Sequence, residues 1–254
     1  MHHELAARWG VQLQGPLPGA RYGKLHACLD RQCRSLFLKV LEPGLEAQRE
    51  ILAMRMLTGP RVELLQWTEI AYLMERIVPG TTLRSLPDEQ AAVQLAACAA
   101  ALGGPREGFP AVSDWLAALQ VHEWADRARQ RSVRLLASAP SPRLLHGDLH
   151  HDNILLCAQT GWLAIDAKGV VGELAFELAA SLYNPWPGLL EMDDPQSTTS
   201  RRLELMAPDR EGRRRLADWG FVRATLAACW EAEEGKSPGH ALACAQLLEP
   251  FLED

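Results

Sequence analysis

The chain has 254 residues, 48% of them hydrophobic, so it can bury a sizeable core as one large domain or two small lobes, and it is not a disordered protein. Its net charge is -6, its pI is near 5.8, and its basic residues are dispersed or in short groups, which argues against a nucleic-acid-binding protein. The acidic balance mildly favours a small cationic substrate, although a merely soluble acidic surface explains the charge better.

The N-terminus lacks the basic region and apolar run of a signal peptide. No stretch reaches the roughly 18 apolar residues that a membrane span needs. The cysteines show no paired C-x-x-C spacing, and the chain is too long to need disulfides for stability. We therefore predict reduced thiols, a cytoplasmic location and no membrane association.

The first part of the chain carries a pattern of short strands and tight turns. A glycine-rich turn spans residues 15 to 23, and a helix is predicted around residues 46 to 54. Residues 78 to 82 break the pattern. This break predicts a hinge between an N-terminal lobe of residues 1–78 and a C-terminal lobe of residues 79–254. The predicted strands cover residues 9 to 13, 24 to 29, 35 to 40, 61 to 67 and 70 to 77.

The second part is rich in helix-forming sequence. Ser113 is a candidate N-cap, and prolines or glycines stop several of the runs. Most of these helices are expected to be scaffold. The predicted helices cover residues 88 to 102, 114 onward, 127 to 138, 174 to 183, 209 to 234 and 239 to 252.

A polar loop lies between two short apolar segments near the middle of the chain. Residues 146 to 153 read HGDLHHDN. Asp148 and Asn153 are five positions apart, as in the kinase pattern H-R-D-x-x-x-x-N, where the Asp accepts the substrate hydroxyl proton and the Asn binds magnesium. A later apolar strand ends at Asp166, which can face the same cavity. Such hard oxygen ligands suit Mg²⁺ on a triphosphate, so the pattern predicts phosphoryl transfer.

At this point a family resemblance becomes evident. The run HGDLHHDNILL, followed by GWLAIDAKGVVGELAFELAASLYNP, resembles the aminoglycoside phosphotransferase superfamily and, within it, the streptomycin 6-kinase and hydroxyurea kinase family. The similarity is dense across residues 144 to 185 and looser over nearly the whole chain. Three positions depart from the family pattern, with Ala167 in place of proline, Phe176 in place of tyrosine and Asp152 in place of glycine. None of these departures removes a catalytic side chain.

The resemblance implies an α+β, bilobal protein-kinase-like fold. Its small N-terminal lobe would hold an antiparallel sheet with one helix, and its larger C-terminal lobe would be mainly helical. By the same resemblance Asp148 would be the catalytic base, and Asn153 and Asp166 would be the magnesium ligands.

Lys39 falls near the end of an apolar strand, where a long cation can reach phosphate oxygens. As an alternative, it is an ordinary edge-strand lysine. Glu46 and Glu50 lie four residues apart on the next helix, and one of them should pair with Lys39. We favour Glu50, because it directly precedes apolar residues and the family usually shows a glutamate there, while Glu46 remains open.

The nucleotide base is expected at the hinge. In the kinase interpretation, adenine lies against the backbone of Glu75, Arg76 and Ile77, with Met74 at the back of the pocket. The glycine-rich turn occupies the place of a phosphate-covering loop, where glycines would let backbone amides approach anions. It lacks G-x-G-x-x-G, so taken alone it is better explained as an ordinary hairpin turn.

The acceptor is expected where the C-terminal helices face Asp148. Streptomycin carries guanidinium groups, which pair bidentately with carboxylates, and a tryptophan could stack on a cation or a sugar face. Taken singly, each glutamate is more often solvated helix surface, and the tryptophan could equally fill the core. The candidates are Glu173, Glu177, Trp230, Glu231, Glu233 and Glu234.

We therefore expect an ATP-dependent, Mg²⁺-dependent phosphotransferase acting on a hydroxyl of a small molecule, with an aminoglycoside such as streptomycin as the first candidate. Two alternatives remain open: a kinase of another small acceptor, such as hydroxyurea, a fructosamine or an unknown metabolite, and a nucleotide-binding pseudokinase. A zinc cluster of His146, His150, His151 and Asp152 is disfavoured, because adjacent histidines on a strand face opposite ways. His146 is better explained as an orienting residue.

Overall fold

The structure, a computed structural model, describes residues 1–17 and 23–252. Its N-terminal region is a sheet with two helices. Within the described residues the sheet has five strands in the order β1-β2-β3-β5-β4, and each neighbouring pair is antiparallel. The elements are α1 (His2–Trp9), β1 (Gln12–Leu17), β2 (Lys24–Leu29), β3 (Ser35–Val40), α2 (Leu45–Met56), β4 (Leu64–Trp67) and β5 (Ala71–Glu75).

The strands predicted at residues 24 to 29 and 35 to 40 are confirmed as β2 and β3. The strand predicted to begin at Trp9 is wrong at its start, because Trp9 ends a helix rich in alanine, leucine and glutamate, which are good helix formers. Gly10 stops that helix in the left-handed conformation, with φ at 67°. Part of the predicted glycine-rich turn, residues 18 to 22, lies outside the described residues.

The sheet is covered on both faces. Leu38 and Ala71 belong to a core shared with α1, whereas Met54 of α2 packs with Tyr72 on the opposite side. The β3–β5 register places Lys39 directly beside Tyr72. Both side chains are therefore buried under α2, which decides the polar contacts described below.

The chain leaves this sheet after β5 ends at Glu75. The predicted break is partly wrong, because β6 (Pro79–Thr82) forms a strand that pairs with β8 (Ile154–Cys157), and β8 also pairs with β9 (Gly161–Ala164). Position 78 as the boundary between lobes stays a prediction. The other elements are α3 (Asp88–Ala101), α4 (Val112–Trp115), α5 (Asp126–Ala137), β7 (Arg143–Leu145), β10 (Val170–Gly172), α6 (Leu174–Leu178), α7 (Pro195–Met206), α8 (Arg210–Glu233) and α9 (Gly239–Leu248).

Helix α8 is the centre of this second region. It contacts α5, α6, α7 and α9, and it is buried over most of its length. Asp209 caps its N-terminus by accepting a hydrogen bond from Gly212 N–H. The predicted α+β class is confirmed, with an antiparallel sheet followed by a mainly helical region. Helix α7 and strand β10 were not predicted from the sequence pattern.

None of the helices in the described residues has the length and apolar character to span a bilayer.

Candidate active site

The polar loop between β7 and β8 turns sharply at Gly147. Its φ of 88° lies in the left-handed region, and a Cβ there would stand 2.9 Å from the Trp115 ring and 3.3 Å from Lys168 Cβ. Only glycine fits this turn without displacing its neighbours. The turn leaves the side chain of Asp148 38% exposed, in the wall of a large cavity.

His146 joins the two segments that carry the predicted acidic residues. Its Nε2 is 2.7 Å from Ile165 O, and its Nδ1 accepts a hydrogen bond from Asp148 N–H at 3.2 Å. These partners assign the proton to Nε2. Complete burial lowers the pKa of His146, so the ring is neutral near pH 7. The ring of His146 is held by the backbone, as predicted, and its contacts tie residue 148 to the end of the strand that leads to Asp166. Its orienting role stays a prediction.

Two buried charged residues form hydrogen bonds with the backbone of the same loop. Glu177 accepts hydrogen bonds from Gly147 N–H at 3.0 Å and from Leu149 N–H at 3.4 Å. Arg223 of α8 donates to Gly147 O at 3.1 Å, and its guanidinium lies 4.4 Å over the Phe176 ring. The expectation that Glu177 binds the acceptor is therefore wrong, because its carboxylate is 1% exposed and bonded to the backbone of the loop.

Asn153 and Asp166 come together through strand pairing. Ile165 N–H donates to Asn153 O at 3.0 Å, which places the residue before Asp166 against Asn153. The Asn153 amide Nδ2 donates to Asp148 O at 2.9 Å, which orients the side chain. The role of its carbonyl oxygen as a metal ligand stays a prediction. Asp166 has φ at 61°, in the left-handed region that is uncommon outside glycine.

Lys39 pairs with Glu50, as favoured from the sequence. The Lys39 Nζ lies 2.8 Å from Glu50 Oε1 and 2.8 Å from Asp166 Oδ1. Burial acts to lower the pKa of Lys39, but the carboxylates of Asp166 and Glu50 outweigh it and raise that pKa, so the side chain is an ammonium ion. Glu46 lies elsewhere, on the cavity wall.

The segment predicted to hold adenine follows β5. Met74 and Ile77 are buried, and Glu75 is exposed beside Arg34 at 3.7 Å. Arg76 N–H donates to Ser35 O at 3.1 Å, so this amide is already bonded within the protein. The backbone groups of Glu75 and Ile77 are therefore the better candidates, and their contact with adenine stays a prediction.

A cavity of about 1560 Å³ opens beside Asp148. Trp115 and Trp230 meet in its wall edge to face, with ring centroids 5.7 Å apart. In the described part of the chain its acidic side chains outnumber its basic ones. The acidic residues are Glu46, Asp114, Asp148, Asp152, Glu231, Glu233 and Glu234. The basic residues are Arg49, Lys168, Arg223 and Lys236.

Four of the predicted acceptor residues lie in this wall, namely Trp230, Glu231, Glu233 and Glu234. Glu234 forms an ion pair with Lys236. The expectation for Glu173 is wrong. Its side chain is 3% exposed, is paired with Arg215 at 2.5 Å and accepts a hydrogen bond from Trp219 Nε1 at 2.7 Å. Glu173 therefore fastens α8 to the start of α6 and cannot reach a ligand.

The donor set around Asp166 fits a hard divalent cation. A carboxylate and an amide carbonyl are the oxygen ligands that Mg²⁺ takes in kinase sites, where phosphates and water complete the coordination. Within residues 1–17 and 23–252, no group of three or more His, Cys, Asp or Glu side chains is placed to hold a metal ion. The described residues thus contain no histidine cluster of the kind that zinc needs.

Sequence patterns alone missed several residues of the site. The Tyr72 hydroxyl lies within hydrogen-bond distance of both Glu50 and Asp166, yet a buried aromatic residue on a strand gives no sign of such a contact. Arg84 pairs with Asp152 and also donates to Trp186 O at 2.8 Å. The sequence did hold a signal for this contact, because Asp152 stands where the family commonly has glycine.

The fold and the site together define a phosphotransferase of the protein-kinase-like class. A solved structure of the aminoglycoside phosphotransferase APH(4)-Ia shares this fold, with a TM-score of 0.63 at 16% identity, covering 98% of this chain and 97% of that one. The protein belongs to the family of aminoglycoside/hydroxyurea antibiotic resistance kinases, which its sequence matches over residues 8–235. The family predicted from the polar loop of residues 146 to 153 is therefore confirmed.

Two relatives illustrate the range of the family. The chain is 27% identical to a streptomycin 6-kinase of Streptomyces griseus, over 90% of this chain and 81% of the relative. It is 30% identical to a hydroxyurea phosphotransferase of Kitasatospora aureofaciens, over 96% of this chain and 77% of the relative. The two relatives act on acceptors of very different size, so the family alone does not decide the acceptor.

Proposed function

We propose that this protein transfers the γ-phosphate of ATP to a hydroxyl of a small cationic molecule, with an aminoglycoside such as streptomycin as the first candidate and inactivation of the antibiotic as the result. One observation carries the proposal: Asp148 lies in the wall of the large acidic cavity, while His146 ties its loop to the strand that leads to Asp166. A base for the acceptor and a ligand set for the nucleotide are thereby held side by side.

In this proposal Asp148 accepts the proton of the acceptor hydroxyl as that oxygen bonds to the γ-phosphorus. The bond from the γ-phosphorus to the bridging oxygen breaks, and ADP leaves. Lys39 binds phosphate oxygens, and Asn153 and Asp166 are the residues that would hold Mg²⁺. A bound Mg²⁺ would neutralise charge on the phosphate oxygens. Alignment and charge neutralisation supply most of the rate enhancement in this chemistry.

The cavity favours a large cationic acceptor. Its volume of about 1560 Å³ is more than a molecule as small as hydroxyurea could fill, and exposed carboxylates and tryptophan rings suit guanidinium groups and sugar faces. The similarity to a streptomycin 6-kinase supports the same choice. Hydroxyurea is the second candidate, because its phosphotransferase is the more similar of the two relatives described.

All six cysteines are free thiols, which agrees with the cytoplasm as the expected compartment.

An acceptor panel tests the proposal. Purified protein with ATP and Mg²⁺ would be assayed for ADP release with streptomycin, other aminoglycosides, a fructosamine and hydroxyurea, and the product identified by mass spectrometry. We expect phosphorylated streptomycin and little turnover of hydroxyurea. Turnover of hydroxyurea alone would favour the second candidate. Failure of every acceptor, together with no thermal shift on adding ATP and Mg²⁺, would favour a protein without kinase activity.

A further inference from the structure

A buried tyrosine hydroxyl completes the cluster around Lys39. Tyr72 lies on β5 directly beside Lys39 of β3, and its side chain is 0% exposed. Its ring packs in the core between the sheet and α2. A buried phenol needs a hydrogen-bond partner, and here it has two carboxylates within reach.

The cluster consists of two donors that share two acceptors. The Tyr72 hydroxyl is 2.9 Å from Glu50 Oε1 and 3.2 Å from Asp166 Oδ1. Lys39 Nζ lies 2.8 Å from the same two oxygens. Because a phenol carries a single proton, Tyr72 donates to one carboxylate at a time. The contacts of Lys39 and Tyr72 with Asp166 both go to its Oδ1 atom.

The shared acceptors matter when a phosphate arrives. An ammonium ion that binds phosphate oxygens has fewer hydrogen bonds to give to Asp166 and Glu50. Two neighbouring carboxylates would then repel each other with less compensation. Tyr72 is the neutral donor that stays on these oxygens, since its rigid ring is fixed by the core and cannot follow the phosphate.

Resting on the function proposed above, we propose that Tyr72 is a positioning residue that keeps Asp166 aligned for the metal-bound nucleotide while Lys39 turns to the phosphates. The hydroxyl acts through Asp166 and Glu50 and touches neither substrate. Its effect is therefore confined to the metal-dependent part of nucleotide binding. The acceptor side, which lies beyond Asp148, is unaffected.

Tyr72→Phe in the full chain tests this role, because phenylalanine keeps the ring and removes only the hydroxyl. The affinity for the non-hydrolysable analogue AMP-PNP would be measured by calorimetry, with Mg²⁺ and with EDTA. We expect affinity to fall about tenfold with Mg²⁺, the size expected for a lost hydrogen bond to a charged group, and to change less than about twofold with EDTA. In kinetic assays KM for ATP should rise while KM for the acceptor stays constant.

Two further variants separate positioning from packing. Thr199→Val removes another buried hydroxyl, which donates to Pro195 O at 2.8 Å in α7, and it should leave nucleotide affinity unchanged. In an Asp166→Asn background, Tyr72→Phe should have almost no further effect on binding with Mg²⁺, because the residue through which it acts is already altered.

The outcomes are distinguishable. Unchanged affinity of Tyr72→Phe with Mg²⁺, or an equal loss with and without Mg²⁺, would overturn the positioning role while leaving the kinase function intact. A lower melting temperature with unchanged affinity would also overturn it, because the hydroxyl would then serve stability alone. Absence of nucleotide binding by the wild-type protein would instead overturn the proposed function, and the role of Tyr72 with it.

Discussion

The cluster around Lys39 and the cavity beside Asp148 differ in how far their charged side chains are buried. Lys39 and Glu50 are each 4% exposed and bonded to one another. In the cavity wall, Glu233 and Glu234 are exposed to solvent. Buried and fully bonded groups hold one geometry, whereas exposed side chains adapt to what binds them. The difference suggests that the nucleotide side is fixed and the acceptor side is adjustable.

The two regions also differ in how the chain builds them. The residues proposed for catalysis and metal binding lie within one stretch, from His146 to Asp166, on paired strands and a single loop. The cavity draws on α2, α4, the catalytic loop, the segment around Trp186, α8 and the start of α9. A change in the segment around Trp186 or at the start of α9 would alter which acceptor fits without touching the residues proposed for the phosphate chemistry. Relatives that phosphorylate different acceptors are consistent with this arrangement.

The largest expected effect is that of Asp148→Asn. The amide cannot accept the hydroxyl proton, so kcat should fall by about a thousandfold, within the range for removal of a general base. Affinity for ATP with Mg²⁺, measured by calorimetry, should stay within about twofold. Asp152→Asn is the matched change in the same loop, and it should lower kcat by no more than about tenfold because Asp152 pairs with Arg84. Near-normal turnover of Asp148→Asn would remove Asp148 from the mechanism.

A smaller effect concerns stability and its dependence on pH, through a buried histidine in the polar loop. His151 is 2% exposed, and burial, with Arg202 as the next cause, lowers its pKa to about 3. The unfolded chain binds this proton near pH 6.5 and the folded chain does not, so stability is lost as pH falls below 6.5 and continues to be lost toward pH 3. Between pH 7.5 and 5.5 the contribution is about 1.4 kcal/mol.

His151→Leu should remove this contribution. Urea unfolding at pH 7.5 and 5.5 would measure it, and the variant should lose about 1.4 kcal/mol less than the wild-type protein over that interval. Thr225→Val is the control, because it alters another buried polar side chain that carries no titratable group and should leave the pH dependence unchanged. Equal pH dependence in His151→Leu and the wild-type protein would show that folding does not lower the pKa of His151.

The sequence was informative where chemistry and backbone pattern coincide. The spacing of Asp148 and Asn153, the strand that leads to Asp166 and the lysine of β3 predicted the nucleotide side, and the structure places Lys39 on Glu50 and Asp166. Each of these residues lies on or next to a strand whose register the hydrophobic pattern fixes. Local pattern was therefore enough to bring them together.

Sequence reasoning failed where the direction of a side chain decides its role. Glu173 and Glu177 are spaced like solvated helix carboxylates, yet both point inward, toward Arg215 and toward the backbone of the catalytic loop. Their partners lie tens of residues away along the chain, and no local pattern predicts contacts of that range. Tyr72 was missed for the same reason, because its ring belongs to the core and only its hydroxyl reaches the site.

The smallest expected effect tests the proposal that the acceptor side of the site is adjustable. Glu231 lines the cavity beside Trp230, and Glu231→Gln removes its charge while keeping its shape. For a cationic acceptor such as streptomycin, KM should rise by roughly threefold to fivefold with little change in kcat, because a partly exposed ion pair contributes up to about 1 kcal/mol. The increase should shrink at high salt, since solvent-exposed charges are screened. KM for a neutral acceptor such as hydroxyurea should not change.

Glu204→Gln is the matched control, because Glu204 lies on α7 beside Arg201 and outside the cavity wall. It should leave KM for both acceptors unchanged. If Glu231→Gln left KM for streptomycin unchanged at low salt, the charge of Glu231 would have no part in binding the acceptor. If it raised KM for neutral and cationic acceptors equally, Glu231 would shape the wall through packing. Either result would contradict the proposed difference, in which the nucleotide side has a fixed geometry and the acceptor side binds through its charged side chains.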